Sequence, residues 1–250
     1  MAEKMYLNMV EDGLNYYKRS FEAKTPKIKI KHAKKSLKKL TRAVISGKKL
    51  KLKDKIPFLY ETITQLNILI ATSYGQLGEL EDLVKYLKDG LISNNNSPTN
   101  KKKYQRDAFM LVELAKIANQ INQIETALEY ANKALKITKK LDTEDHIDIL
   151  LDLNPIFIQA LEVNDVHSNF KSLVKLAKKT KRKEVKGEIY FRYARYLFEV
   201  KKKYSKCKSF LKKARKIFSS TNHLNTVKLI DDFLKIKFDK DGNPRESKKE

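Results

Sequence analysis

The segment YFRYARYLF sets Tyr190, Phe191, Tyr193, Tyr196 and Phe198 among Arg192 and Arg195. Aromatic faces stack on bases and guanidinium groups take phosphates, so this is the stretch best equipped for nucleic acid. At helical spacing, however, most of these aromatics are also needed in a core. Other candidates for chemistry are sparse. The four histidines, His32, His146, His167 and His223, lie far apart and in no metal-ligand spacing. No glycine loop is built to cradle phosphate, and no HExxH occurs. The carboxylates of EDHIDILLD, Glu144 to Asp152, fall on a helix start, where they complement the macrodipole rather than form a reactive pair. Cys207 is the only cysteine, which excludes an intrachain disulfide, and it reads as a small packed residue in a reducing compartment. These residues describe a non-enzyme with no cofactor and no metal.

A triplet of small or apolar residues at i, i+4, i+7 recurs five times. The copies are Ala33, Leu37, Leu40; Leu83, Leu87, Gly90; Ala127, Ala131, Ala134; Phe170, Val174, Ala177; and Cys207, Leu211, Ala214. Each follows another apolar helical stretch, the pattern of stacked helix hairpins. With seven Gly and five Pro in 250 residues and few alternating runs, the chain reads as almost wholly helical.

Helices are expected over 3–23, 26–47, 57–76, 79–91, 101–120, 123–141, 143–163, 166–180, 186–201, 203–219 and 223–238. Tyr6, Met9, Val10, Leu14, Tyr17 and Phe21 mark the buried face of the first. Thr25-Pro26 caps the second and Gly47 ends it. SNNNSPTN, residues 93–100, reads as a loop. Asp142 or Thr143, and Asn164 or Asp165, are expected N-caps. Pro155 should kink its helix, or split it with Asn154 as a new cap. In the last helix Leu224, Val227, Ile230 and Leu234 should face inward, with Asp231 and Asp232 toward solvent.

The net charge is +24 and unevenly spread. Residues 1–60 hold 17 Lys/Arg and 5 Asp/Glu, residues 61–163 hold 11 and 15, and residues 164–250 hold 26 and 10. Two basic ends thus flank a mildly acidic middle. Such ends are either solvated helix faces or an electrostatic footprint for RNA, DNA or anionic lipid. For the helix around Lys31–Val44, packing with a solvated basic face is the expectation. No run is long and apolar enough to span a membrane, and the start of the sequence does not read as a signal peptide.

In its repeats the chain resembles the tetratricopeptide repeat (TPR) family, in the longer variety of about 40 residues per repeat. The residues that carry the resemblance are Ala127, Ala131 and Ala134 after Leu111, Leu114, Ala115 and Ala118. Ile70, Ala71, Tyr74, Gly78, Leu83 and Leu87 form another copy. Tyr193, Ala194, Leu197 and Phe198 precede Tyr204, Cys207, Leu211 and Ala214, with one extra residue in the turn. The resemblance implies an all-α, right-handed α-solenoid of about five hairpins over residues 1–238. Residues 1–46 would form a divergent first hairpin or N-terminal cap, 223–238 a capping helix, and 239–250 a disordered basic tail.

In this family the first helix of each hairpin lines a concave face. That implies ligand contacts from Gln65, Thr72 and Gln76; Lys116, Asn119 and Gln120; Gln159; and Arg192 and Arg195. Amides suit a peptide backbone and arginines suit carboxylates. The family's carboxylate clamp is not recognisable, since Ile68 and Thr72 stand where it needs Lys and Asn. The expected role is a cytoplasmic, non-enzymatic scaffold for a protein or peptide segment. The alternatives are a nucleic-acid-associated repeat protein using its basic ends, and a homo-oligomer joined through the ends of the solenoid.

Overall fold

The computed structural model describes residues 1–160 and 163–235. Among these the chain forms eleven helices and no strand: α1 (Ala2–Glu22), α2 (Pro26–Lys49), α3 (Ile56–Leu77), α4 (Leu80–Asn95), α5 (Lys101–Gln120), α6 (Ile124–Thr138), α7 (Thr143–Gln159), α8 (Val163–Leu176), α9 (Lys183–Glu199), α10 (Tyr204–Ser220) and α11 (Leu224–Lys235). They fall into two compact units, one of Met1–Asp145 and one beginning at His146.

In the first unit α1 pairs with α2, α3 with α4, and α5 with α6. Small residues set the approach of α1 to α2. A β-carbon on Gly13 would lie 2.5 Å from Leu40 Cδ2, and Ser36 Oγ donates to the Gly13 carbonyl at 2.6 Å. Tyr6, Gly13 and Ser20 are the buried line of α1. The buried face therefore differs from the expected one: Leu14 and Phe21 are exposed, because α1 turns its small residues toward its partner. Nor does Gly47 end α2, which continues to Lys49. Gly47 is buried where a β-carbon would lie 3.1 Å from the Tyr6 ring. Thr25 caps α2 as expected, accepting from the Ile28 amide, with Pro26 in the first turn.

The basic face of α2 is not simply solvated. Lys34 Nζ donates to the Tyr74 hydroxyl at 2.6 Å and lies 5.1 and 5.5 Å from the Tyr74 and Tyr86 ring centroids. It fastens the first hairpin to the second through a hydrogen bond and cation–π contact. Lys39 pairs with Asp12 at 2.7 Å.

The hairpins share a turn chemistry. Gly78, Asn122 and Asn222 adopt positive φ, and the next residue's amide bonds back across the helix end: Glu79 to Tyr74, Gln123 to Ala118, and His223 to Phe218. This closes the terminal carbonyls as a Schellman motif does. Between α9 and α10 the left-handed residue is Lys202, and the bond runs from the Lys203 amide to the Leu197 carbonyl. The longer span is the extra residue expected there.

Helix α4 continues four residues past the expected stop at Leu91, into the Asn-rich stretch. Asn94 is fully buried and explains the extension. Its Nδ2 donates to the Lys103 carbonyl at 2.9 Å and to Asp107 Oδ1 at 2.7 Å, while its Oδ1 accepts from Arg106 Nε at 3.0 Å. Asn94 is thus a clamp between α4 and α5, not a loop residue.

In the second unit α7 runs unbroken through Pro155, so the expected split does not occur. Asp142 caps α7, its Oδ1 accepting from the Asp145 amide. Helix α8 starts at Val163 and continues through positions 164 and 165, so neither of these is its cap. In its triplet the fully buried middle residue is Leu173 rather than Val174. Cys207, Leu211 and Ala214 are buried against α9, and burial pushes the Cys207 thiol up to about 11, which leaves it unreactive at neutral pH. In α11, Ile230 is buried but Leu224 is exposed, and Asp231 forms a bidentate pair with Arg215 of α10 instead of facing solvent alone. The expected extension of this helix to 238 and the tail at 239–250 lie outside the described residues.

Candidate functional site

Helices α7 and α9 build a groove of about 430 Å³ in the second unit. Gln159, Arg192 and Arg195 line it, as do Asn154, Ile158 and Phe191. The helical register explains the grouping. Arg192 and Arg195 are three apart on α9 and share a face, while Tyr193, Ala194, Tyr196 and Leu197 turn into the core. Each arginine is held by a carboxylate one turn away. Arg192 Nε bonds Glu188 at 2.6 Å, and Arg195 Nη2 bonds Glu199 at 2.9 Å. The groove wall is thereby close to charge-balanced.

Asn154 is among the lining residues and is 2 % exposed. Neither its Nδ2 nor its Oδ1 has a hydrogen-bond partner among the described residues. A buried amide left this way is costly, and native structures keep few of them. Next to it, Pro155 has no backbone N–H to give to the Leu151 carbonyl. Arg192 Nη1 reaches from α9 to supply that bond at 3.3 Å.

Helices α1, α3 and α5 build another groove, of about 490 Å³, in the first unit. Gln65 and Thr72 line it with Phe21, Lys102, Gln105 and Arg106. Gln65 Oε1 accepts from the Tyr17 hydroxyl. Thr72 Oγ1 is turned back to the Ile68 and Leu69 carbonyls. Arg106 bonds Glu61 at 2.7 Å and Asn94 at 3.0 Å, while its Nη2 is buried without a partner. The other expected contacts line neither groove. Gln76 and Gln120 are exposed near the ends of α3 and α5, Lys116 pairs with Glu113 at 2.8 Å, and Asn119 is half-buried near the end of α5.

Arg106 does not stand out in the sequence, and Asn154 does so only as a candidate cap before Pro155, not as a groove residue. The aromatic segment is largely core. Tyr190, Tyr193 and Tyr196 are buried, and Tyr193 and Tyr196 each lie 5.2 Å from the Phe170 ring. Burial raises the hydroxyl pKa of all three, and none is placed to stack on a base. Among the described residues, no group of His, Cys, Asp and Glu could hold a metal ion, and no helix is long and apolar enough to cross a membrane.

No protein family and no curated protein matches the sequence. Solved structures do match the fold. BtubC from P. vanneervenii is similar at 12% identity and a TM-score of 0.57, over 89% of this chain and 92% of that one. A putative kinesin light chain from Podosopora anserina, with nearly identical TPR-like repeats, is similar at 16% identity and a TM-score of 0.54, over 86% and 95%. A Rap protein complexed with competence and sporulation factor is similar at 13% identity and a TM-score of 0.51, over 93% and 63%. The fold is therefore all-α and TPR-like, of the helical-repeat solenoid class.

Proposed function

We propose that the chain is a non-enzymatic scaffold that binds a protein or peptide segment, with the α7/α9 groove as a seat for extended backbone. The observation that carries this reading is Asn154, a groove-lining residue whose buried amide has donor and acceptor both unpaired among the described residues. A peptide bond offers the matching acceptor and donor. Ile158 and Phe191 give apolar area beside it, and Gln159 adds a further amide. An acidic side chain or terminal carboxylate of the ligand would compete with Glu188 and Glu199 for Arg192 and Arg195. The helices preform the surface, so the ordering cost of binding falls mainly on the ligand. The Rap protein solved with its bound factor is one structure of this fold class that holds a ligand. In the first unit, Gln65 and the Arg106 guanidinium offer a further amide and a further cation for the same kind of partner.

The test is selection of binders from a random peptide library displayed on phage, followed by fluorescence polarisation with the selected peptides. Extended, acidic peptides should emerge, and Asn154→Leu should weaken them about tenfold, the worth of one buried hydrogen bond to the backbone. Selected peptides that bind Asn154→Leu and the unchanged chain equally would overturn the assignment of the groove.

A further inference from the structure

We propose that the solvent face of α10 binds the sugar–phosphate backbone of a nucleic-acid strand, independently of the grooves. The helix carries Lys206, Lys208, Lys212, Lys213, Arg215 and Lys216 and no Asp or Glu. Its apolar residues Cys207, Leu211, Ala214 and Phe218 are buried. The exposed residues include Ser205, Lys206, Ser209, Lys212, Lys213, Arg215 and Lys216. Other helices pair some cations within one turn, as in Lys133–Glu129 of α6 and Arg195–Glu199 of α9, whereas α10, like α2, has no acidic residue to do so. On α10, Lys206, Lys212, Lys213 and Lys216 make no ion pair among the described residues, although Lys213 Nζ lies 4.9 Å from the Phe210 ring centroid. Like charges one turn apart oppose the helix, and a polyanion laid along them removes that repulsion.

The shape and chemistry fit a phosphate backbone. A hollow of about 730 Å³ runs along this face, lined by Ser205, Lys208, Ser209, Lys212, Lys213 and Tyr204. Hydroxyls and ammonium groups alternate along it, suited to phosphate oxygens and sugar. The positive field continues beyond the helix: Lys171 on α8, Lys201 and Lys203 in the α9–α10 turn, and Lys206 all add to burial in lowering the pKa of His167. No large apolar side chain of α10 is exposed, so the face has nothing to insert into a membrane interface. Tyr190, Tyr193 and Tyr196 are buried, and Tyr204, at the end of the hollow, is half-buried and packed edge-on against Phe198, so the contact is chiefly with the backbone and independent of sequence.

The experiment measures binding of a fluorescein-labelled oligouridylate of about 20 nucleotides to the full chain across a salt series, long enough to exceed one site. Phosphatidylserine vesicles and polyglutamate are run beside it. The expected log–log salt slope from these four lysines, none of which has an acidic partner, is about −3. Replacing Lys206, Lys212, Lys213 and Lys216 together by Gln should cost about tenfold or more at low salt and flatten the slope. Replacing Lys27, Lys29, Lys31 and Lys38 of α2 makes the same change in net charge and should cost much less. If the α10 variant does not fold, oligouridylate should instead shield those four lysines of the unchanged chain from acetylation. The proposal is overturned by absent binding at low salt, by equal losses in the two variants, by unshielded α10 lysines, or by vesicles or polyglutamate binding more tightly than oligouridylate.

Discussion

Arg192 donates to the Leu151 carbonyl, the one helical acceptor that Pro155 strips of its donor. A proline in a helix interior costs about 3 kcal/mol, partly through that lost bond. Here a side chain from the neighbouring helix restores it, and α7 stays continuous. The two residues should therefore be energetically coupled. Pro155→Ala should stabilise the chain by about 1–2 kcal/mol, less than the full proline cost because the carbonyl is already served. Arg192→Met should cost about 1–2 kcal/mol with Pro155 present and little in the Pro155→Ala background. A double-mutant cycle by urea unfolding should give a coupling of about 1 kcal/mol. Strictly additive changes would show that the Arg192 bond does not compensate the proline.

Asn94 ties three groups of α5 to the end of α4, and removing it strands all three. Asn94→Ala leaves the Lys103 carbonyl, Asp107 Oδ1 and Arg106 Nε without this partner. The expected loss is about 2–4 kcal/mol, read as a fall in Tm or in the denaturant midpoint. A loss below about 0.5 kcal/mol would place Asn94 among ordinary surface loop residues.

Asp107 supplies a pH signature for the same clamp. Burial raises its carboxyl above the ordinary 3.8, against the lowering effects of the Asn94 hydrogen bond and of Lys103 and Arg106. An acid raised in the folded state holds its proton there more tightly than in the unfolded chain. Its contribution to stability therefore improves as pH falls through the raised value and levels off below the unfolded one. Asp107→Asn should be the more stable form at neutral pH, with the difference shrinking toward pH 4. Thermal melts of both proteins across that range check the sign. A difference that instead grows on acidification would mean the charged form is the favoured one.

Gly13→Ala separates helix propensity from packing. In an isolated helix the change gains about 1 kcal/mol. Here the new methyl would meet Leu40 Cδ2 at 2.5 Å and Cγ at 2.7 Å, with Leu40 fully buried. A net loss of about 1–3 kcal/mol is expected. A stabilised Gly13→Ala protein would show that Leu40 can move aside and that α1 and α2 are less closely packed.

The parts of the fold legible in the sequence are those written in a strict period. Ala127, Ala131 and Ala134 are all fully buried, and Gly78 and Asn122 sit in left-handed turns, because small size and backbone freedom are properties of the residue itself. The first hairpin is harder to read. Its buried line of Tyr6, Gly13 and Ser20 mixes sizes, and the larger Leu14 and Phe21 give a stronger periodic signal on the wrong face. Asn94 has the composition of a loop but the burial of a core residue, which only its partners on α5 decide. For the site, the concave face implied by the resemblance includes Gln159, Arg192 and Arg195, and all three line one groove. Helical spacing sets Glu188 and Glu199 four residues from the arginines, but it cannot indicate that Arg192 crosses to the Leu151 carbonyl of α7.

Asn154 offers the sharpest separation of function from stability. Both polar atoms of its side chain are buried without partners, so the folded chain bears a desolvation cost for them. Replacing such a group by an apolar one of similar volume commonly stabilises a protein. Asn154→Leu should accordingly raise stability by about 1 kcal/mol, a few degrees in Tm for a unit of this size. The same substitution should weaken peptides selected against the groove. A residue kept for packing would move both readouts downward together. Opposite movement, firmer folding with weaker binding, is the result expected of a buried amide retained to meet a ligand's backbone.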